Sequence, residues 1–312
     1  MEWEQSRRSD NIEDVRGQGY AGGGGGGGGV IMGGGGLGIG AIIVLALIGY
    51  ATGIDPRILI GGAEQVVNHG QSQPYQQDGS DAGQRPQRQA QGQAQTQGAP
   101  KDQMADFVAA VLGETEDVWG QVLPAQKGVQ YRAPKLVLYS GVTRSGCGQA
   151  QSAMGPFYCP TDRKVYLDMS FFNDMRRKLG GGGDFAYAYV ISHEIGHHVQ
   201  NLLSILPKVH DAMENSDEAR SNQLSVRLEL QADCFAGVWA ANADQRFHIL
   251  QDGDVDKALN TAEAIGDDRL QKSARGYATP DSFTHGSSAQ RKQWLQTGLK
   301  TGKVDACNTF AQ

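Results

Sequence analysis

Two histidines and a glutamate stand at a spacing that can bind and use a metal ion. The run V-I-S-H-E-I-G-H-H-V-Q contains H-E-x-x-H at His193, Glu194 and His197. Histidines four residues apart share one helix face, so both imidazoles can reach one zinc ion. A catalytic zinc keeps a position for water, and Glu194 can act as general base on that water. His198 is turned about 100° from His197 around the helix, so we do not predict it as a ligand.

A third metal ligand must come from further along the chain, because no G-x-x-H follows His197. The segment R-L-E-L-Q-A-D places Glu229 and Asp233 four residues apart in a strong helical pattern. Glu229 can complete a His₂Glu site, and Asp233 can accept a hydrogen bond from a ligand histidine and fix its tautomer. The alternative is a solvated acidic face, which the apolar neighbours disfavour. The sequence therefore predicts one Zn²⁺ per chain, bound by His193, His197 and Glu229.

A zinc hydrolase also needs a group that stabilises the oxyanion. His285, in a loop before the last predicted helix, is the residue we assign to this catalytic role. Tyr277 and Arg291 are the alternatives for the oxyanion. A structural capping role is the alternative for His285 itself.

The chain has four cysteines, Cys147, Cys159, Cys234 and Cys307, and none forms a C-x-x-C pair. A zinc site built on cysteines is therefore not expected. In an exported domain an even number of cysteines suggests disulfides, and four allow three pairings. We predict Cys147–Cys159, which closes a short local loop, and Cys234–Cys307, which ties the C-terminus to the segment that carries Asp233.

Hydrophobic periodicity predicts a helix-dominated α+β domain with a small sheet. Strands are expected at Lys135–Tyr139 and Lys164–Asp168. Asp184 is the expected N-cap of the helix that carries H-E-x-x-H, and a second long helix is expected from Asp217 to Asn242.

The composition of the N-terminal third of the chain predicts a membrane anchor followed by a flexible tether. No charged residue occurs from Gly17 to Ile54. Within this stretch, residues 30–51 provide about 20 residues that suit a single transmembrane helix. A buried core helix and a cleavable signal peptide are the alternatives. Because Arg7, Arg8 and Arg16 precede this segment, the positive-inside rule places residues 1–29 in the cytoplasm as a Gly-rich tail.

The remaining chain is predicted to lie outside the cytoplasm, in a compartment that permits disulfides. Residues 52–100 form a flexible linker in this interpretation, since residues 71–97 hold 11 glutamines in 27 positions. Residues 101–312 form the catalytic domain. The predicted location is the cell inner membrane, with the domain periplasmic or extracellular and the lipid bilayer as partner of residues 30–51. A net charge of −6 without a long basic stretch gives no support for a nucleic-acid partner.

Four motifs together resemble the bacterial neutral zinc metallopeptidase family. They are the segment Gly155–Asp168, H-E-I-G-H-H-V-Q, E-L-Q-A-D-C-F-A-G and the segment Phe283–Arg291. The similarity covers nearly the whole chain, including R-R-S-D-N-I-E-D near its start. The resemblance implies a zincin-like domain of the gluzincin type, in which the downstream helix supplies the glutamate ligand.

The leading hypothesis is therefore a membrane-anchored zinc metalloendopeptidase, which hydrolyses peptide or protein substrates with metal-activated water. The alternative is a non-catalytic, membrane-tethered binding or scaffold protein that retains a structural zinc. Glu194 favours the enzyme, because a structural zinc site has no use for a general base. Other zinc hydrolases are a third option.

Overall fold

A computed structural model describes residues 1–17, 102–178 and 182–311 of the chain. In these ranges a four-stranded sheet and a separate two-stranded hairpin pack with a larger set of helices. The strands are β1 (Ile12–Asp14), β2 (Lys135–Tyr139), β3 (Val142–Ser145), β4 (Gly148–Gln151), β5 (Phe157–Cys159) and β6 (Lys164–Asp168). The helices are α1 (Gln103–Lys127), α2 (Ser170–Lys178), α3 (Asp184–Leu202), α4 (Ile205–Glu214), α5 (Glu218–Phe247), α6 (Asp254–Ala264), α7 (Asp267–Arg275) and α8 (Ser288–Thr301).

The main sheet has the strand order β1-β2-β6-β5. Strands β1, β2 and β6 run parallel, whereas β5 runs antiparallel to β6 and forms an edge. The two central strands have the bounds that the sequence predicts, and four of five residues in each are buried. Burial on both faces explains why each reads as an apolar run rather than an alternating one.

Helices α3 and α5 cross at very short distance, and this crossing positions the metal-binding motif. A Cβ atom added at Gly196 would lie 3.0 Å from the Ala232 carbonyl oxygen. A side chain there would make an unusually tight contact with the α5 backbone, so glycine favours the approach, and Gly196 lies between the two motif histidines. Helix α5 starts after Asp217, whose carboxylate accepts from the Arg220 amide, and it continues to Phe247 rather than ending at Asn242.

A second close approach fixes α8 against α5. A Cβ at Gly298 would overlap the carbonyl oxygen of Cys234. The Cys234–Cys307 disulfide ties the turn after α8 to the same part of α5. The other disulfide, Cys147–Cys159, links the β3–β4 hairpin to the edge strand β5. These are the two pairings that the sequence predicts.

Residues 1–17, expected as a tail, pack on the domain instead. Strand β1 pairs with β2, with Ile12 opposite Leu136. The Trp3 indole is 5 % exposed and meets the Phe107 ring edge to face at 5.4 Å. Its Nε1 donates to the Asp184 carboxylate at 3.0 Å. Asp184 is thus the first residue of α3 and an anchor for this segment, while Gly183 occupies the N-cap position that the sequence assigns to Asp184.

The predicted fold class is wrong in its membrane part. A helix-rich arrangement with small sheets is observed, but across the described ranges no helix is long and apolar enough to cross a bilayer. The segment 30–51 and the linker 52–100, to which the prediction applied, lie outside the described residues.

The two ends of the undescribed stretch 18–101 meet on the surface of the domain. The Arg16 guanidinium forms an ion pair with the Asp102 carboxylate. Asp102 is also the N-cap of α1, accepting from the Ala105 amide at 3.1 Å. The contact therefore connects the end of the N-terminal segment directly to the start of α1.

We expect residues 18–101 to be replaceable by about eight Gly and Ser residues, which span the gap between neighbouring ends. The melting temperature should then stay within a few degrees of that of the full chain, since a shorter loop costs less entropy to close. Residues 102–312 alone should melt at a clearly lower temperature, because β1 and Trp3 are missing. Equal melting temperatures for the two truncated proteins would contradict the structural role of residues 1–17.

A buried carboxyl group lies under the N-terminal segment. Glu114 on α1 is 2 % exposed and accepts a hydrogen bond from the Ser6 hydroxyl. Its Oε2 has no hydrogen-bond partner among the described residues. Burial raises the pKa of Glu114 to about 7, and the Ser6 hydrogen bond only partly opposes this effect.

Glu114 should make the protein less stable as pH rises. The folded chain holds this proton up to about pH 7, whereas the unfolded chain releases it near the ordinary glutamate pKa of 4.5. The folded state binds more protons in this window, so stability falls as pH rises through it, by up to about 3 kcal/mol. Glu114→Gln should flatten this part of the curve of unfolding free energy against pH. An unchanged slope in the variant would show that Glu114 is not responsible.

Candidate metal centre

Helices α3 and α5 bring His193, His197 and Glu229 together. One ligand atom from each lies within 4.8 Å of the other two. His193 Nε2 is 3.2 Å from Glu229 Oε2, and His197 Nε2 is 3.4 Å from Glu229 Oε1. The His193 and Glu229 side chains are buried, and that of His197 is 13 % exposed. These are the three ligands that the sequence predicts.

The outward nitrogens of both histidines are held by hydrogen-bond acceptors. His193 Nδ1 lies 2.8 Å from Asp233 Oδ1, and His197 Nδ1 lies 2.9 Å from Gln200 Oε1. Because neither acceptor carries a hydrogen, each Nδ1 must donate. In the neutral imidazoles the Nε2 lone pairs then face the Glu229 carboxylate, whose buried Oε2 receives no hydrogen bond from the described residues. Lone pairs facing one another require a cation between them, and His₂Glu is a zinc ligand set.

The electrostatics of the metal-free chain indicate the same requirement. Burial lowers the pKa of His193, but the carboxylates of Asp233 and Glu229 more than offset it and raise the pKa to about 10. Burial likewise opposes ionisation of Glu229, yet the two histidines hold its pKa well below the usual value. The Glu229 carboxylate thus stays ionised although it is buried. A proton on His193 occupies the position of a metal ion, so metal binding must release it.

Asp233 is the centre of a fully buried support behind the ligands. Its carboxylate accepts from Arg291 Nε at 2.8 Å and from the Tyr189 hydroxyl at 2.6 Å. Burial raises the pKa of Asp233, but Arg291 and His193 lower it further, to about 2. Arg291, an alternative for the oxyanion role, therefore has its guanidinium bound to Asp233. Tyr189 was not predicted, although it lies one helical turn before His193 on the same face.

Glu194 is outside the ligand group and lies in the wall of the adjacent cleft. It is 6 % exposed, and burial raises the pKa of its carboxyl group, which the two motif histidines partly oppose. Glu194 is therefore a buried carboxyl group in the cleft wall, next in sequence to His193, where a general base would stand.

The cleft encloses about 650 Å³ of empty space, part of it open to solvent. The lining combines polar groups of the metal centre with apolar side chains. Its lining residues are Gly155, Pro156, Phe171, Tyr189, Val190, His193, Glu194, Glu229, Ile265, Asp267, Leu270, His285 and Arg291. A concave site of this size with a few convergent polar groups is typical of a binding site for part of a larger molecule.

His285 lies in the cleft wall opposite α3. Its ring Nδ1 is 3.0 Å from Asp267 Oδ1, and the second Asp267 oxygen accepts from the His285 amide at 2.7 Å. Its Nε2 is buried without a partner among the described residues. Burial lowers the pKa of His285, but Asp267 more than offsets this and raises it. Asp267 is not in the predicted site, because only the fold brings it to His285. Tyr277, the other alternative, is 62 % exposed and does not line the cleft.

The chain belongs to the family described as "Putative neutral zinc metallopeptidase", whose model matches residues 1–310. It is 46% identical over 312 residues to "Uncharacterized protein YpfJ" of Escherichia coli strain K12, covering all of this chain and 99% of that protein. It is 41% identical over 214 residues to "Uncharacterized protein Rv2575" of Mycobacterium tuberculosis strain H37Rv. That match covers 65% of this chain and 70% of the relative. No solved structure matches the chain.

Substitutions should separate the ligand role of Glu229 from the role of Glu194. Glu229→Gln should weaken zinc binding by more than about 100-fold, since it removes a ligand charge rather than an outer contact. Glu194→Gln should keep one zinc per chain, as should the surface control Glu263→Gln. Metal analysis and competition with a chelator measure both effects. Full zinc binding by Glu229→Gln would exclude Glu229 as a ligand.

Proposed function

We propose that the chain is a zinc-dependent metalloendopeptidase with Glu194 as general base. The observation that carries the proposal is the arrangement of three lone-pair donors around one point, with a buried carboxylate next to it in an open cleft. A structural zinc site has no need for that carboxylate or for the cleft. Membership of the zinc metallopeptidase family supports a peptide or protein as substrate.

His193, His197 and Glu229 would hold one zinc ion per chain. When bound there, zinc supplies Lewis acidity and makes water more acidic near neutral pH. The chain itself supplies proton transfer, because Glu194 can accept a proton from the attacking water and pass it to the leaving amine. The raised pKa of the buried Glu194 carboxyl group brings it closer to the pH at which such transfer is efficient.

His285 is the residue we propose for stabilising the oxyanion. Asp267 accepts from its Nδ1, so Nε2 carries a hydrogen only in the charged ring, the form that Asp267 favours by raising the pKa of His285. In that form the Nε2–H has no partner among the described residues and belongs to a cleft-lining side chain. A donor fixed before the reaction is the arrangement that stabilises developing negative charge most strongly.

The two disulfides support an oxidising compartment outside the cytoplasm as the place of action. Residues 1–17 would share that compartment with the domain, because the two are paired in one sheet.

A peptide-library cleavage assay on the zinc-loaded full chain tests the proposal. Glu194→Gln should lower kcat by about 100- to 10,000-fold with zinc retained. His285→Gln should lower kcat by about 100- to 1,000-fold, which is the usual effect of losing one oxyanion donor. Tyr277→Phe is the control with unchanged activity. Zinc bound without any Glu194-dependent cleavage would favour the scaffold alternative.

A further inference from the structure

Two buried amide side chains connect the candidate ligand His197 to the C-terminal part of the domain. Gln200 on α3 and Gln231 on α5 are 0 % and 4 % exposed. Gln200 Oε1 lies 2.9 Å from His197 Nδ1, and Gln200 Nε2 donates to Gln231 Oε1 at 3.2 Å. Gln231 Nε2 in turn donates to the Cys307 carbonyl oxygen at 2.9 Å. We call this row of hydrogen bonds, from Cys307 through the two glutamines to His197, the amide relay.

Backbone carbonyl groups fix the direction of the amide relay. A glutamine amide donates from one end and accepts at the other, so its neighbours decide which way it points. The Cys307 carbonyl oxygen can only accept, so Gln231 turns its NH₂ group there and its oxygen towards Gln200. The Leu228 carbonyl oxygen accepts from Gln200 Nε2 at 2.7 Å and has the same effect on Gln200. Gln200 therefore offers its oxygen to His197, so Nδ1 of that ring donates and the Nε2 lone pair faces the metal position.

The amide relay also joins the two helices that supply the metal ligands. Gln200 lies one turn after His197 on α3, whereas Leu228 directly precedes Glu229 on α5. The Gln200 NH₂ group donates both of its hydrogens to acceptors on α5. A hydrogen bond to the outer nitrogen of a ligand histidine orients the ring and raises its basicity. The relay therefore holds His197 in place relative to the helix of Glu229.

The far end of the amide relay is fixed by a disulfide. Cys307 is bonded to Cys234, and both residues are completely buried. Cys234 follows Gln231 by three residues on α5, so the two side chains lie near each other on one helix face. The disulfide and the Gln231 hydrogen bond thus join the same two segments of the chain. The disulfide keeps the Cys307 carbonyl group within reach of Gln231.

We propose that the Cys234–Cys307 disulfide raises the zinc affinity of the candidate metal centre. Gln231 and Gln200 transmit this effect as positioning residues for His197. The proposal rests on the zinc binding of the proposed function and not on peptide hydrolysis. With the relay intact, His197 already has the tautomer and orientation that bind the metal. When the relay is broken, zinc binding must also order the ring, so the affinity falls.

The zinc affinity of the full chain, measured by competition with a chelator, tests the proposal. Gln200→Met keeps the length of the side chain and removes the amide. It should lower the affinity by about 10- to 100-fold, the usual effect of losing the partner of a metal-bound histidine. Gln231→Met should lower it by about three- to tenfold, which corresponds to one hydrogen bond. Combined with Gln200→Met it should add almost nothing, because both substitutions interrupt one path.

Removal of the disulfide tests the other end of the amide relay. Cys234→Ala together with Cys307→Ala should lower zinc affinity by about three- to tenfold, without adding to Gln231→Met. Cys147→Ala together with Cys159→Ala removes the other disulfide and should leave the affinity unchanged. Melting temperatures show which variants are folded at the assay temperature. If the first cysteine variant is unfolded, Gln231→Met in the disulfide-bonded chain decides, since without its effect no path joins the disulfide to the ligand.

Asn242→Leu is the matched control for the amides. Like Gln231, Asn242 is an α5 residue whose amide donates to a carbonyl oxygen of the C-terminal segment, that of Gly302 at 3.1 Å. It lies eleven residues beyond Gln231 and outside the relay, so the substitution should leave zinc affinity unchanged even where it lowers the melting temperature. Wild-type affinity in Gln231→Met, or a loss that adds fully to that of Gln200→Met, would overturn the proposal. An equal loss in Asn242→Leu would also overturn it, by indicating general loosening of the C-terminal segment.

The affinity measurement needs no turnover, so its failure differs from that of the peptidase proposal. A chain that binds zinc and cleaves no peptide contradicts only the peptidase proposal. Equal zinc affinities in the wild type and the relay variants contradict only the role of the disulfide and the two glutamines. A wild type that binds no zinc would overturn both.

Discussion

The close contact between α3 and α5 at Gly196 and Ala232 is the constraint on which the rest of the site depends. With 3.0 Å between a hypothetical Cβ and the Ala232 carbonyl oxygen, a larger residue would require α5 to shift by a few tenths of an ångström. Packed helices lie about 8 to 10 Å apart, depending on the side chains at their contact, and small residues favour the shorter separations. The glycine within H-E-x-x-H therefore helps to set how closely the two helices that carry the candidate ligands approach.

Around this crossing, negative charge is distributed over two carboxylates with different tasks. Glu229 faces the candidate metal position, where its Oε2 has no donor in the part of the chain that the structure describes. Asp233, one turn further, is satisfied by His193, Tyr189 and Arg291. A buried carboxylate is costly unless it is fully paired, and Asp233 meets that condition whereas Glu229 meets it only with a cation. This difference makes the centre both stable and specific for a positive charge.

The sequence predicts the parts of the site that follow from helical periodicity. His193, His197, Glu229 and Asp233 stand at spacings of four within two amphipathic segments, so their faces can be derived without coordinates. Asp267 could not be found in this way. It belongs to α7 and supports a histidine on another element, and nothing in its local sequence distinguishes it from an ordinary residue of a first helical turn.

Strand β1 was missed for a different reason. The segment Ile12–Asp14 has only three residues and reads I-E-D, which carries almost no apolar signal. Its pairing is determined by a partner more than a hundred residues away, and local propensity says little about such contacts. The predicted membrane span has no counterpart among the described helices, and residues 30–51, where apolar composition places it, lie outside the described ranges.

The position of β1 also has a consequence for the order in which the molecule can form. Ile12 is synthesised well before its partner Leu136, which follows only after more than a hundred further residues. Contacts of such long range slow folding, because the ends of a long intervening chain must first be brought together. Arg291, whose guanidinium binds Asp233 behind the candidate metal ligands, comes later still. During synthesis this buried support can therefore form only after Arg291 has joined the chain.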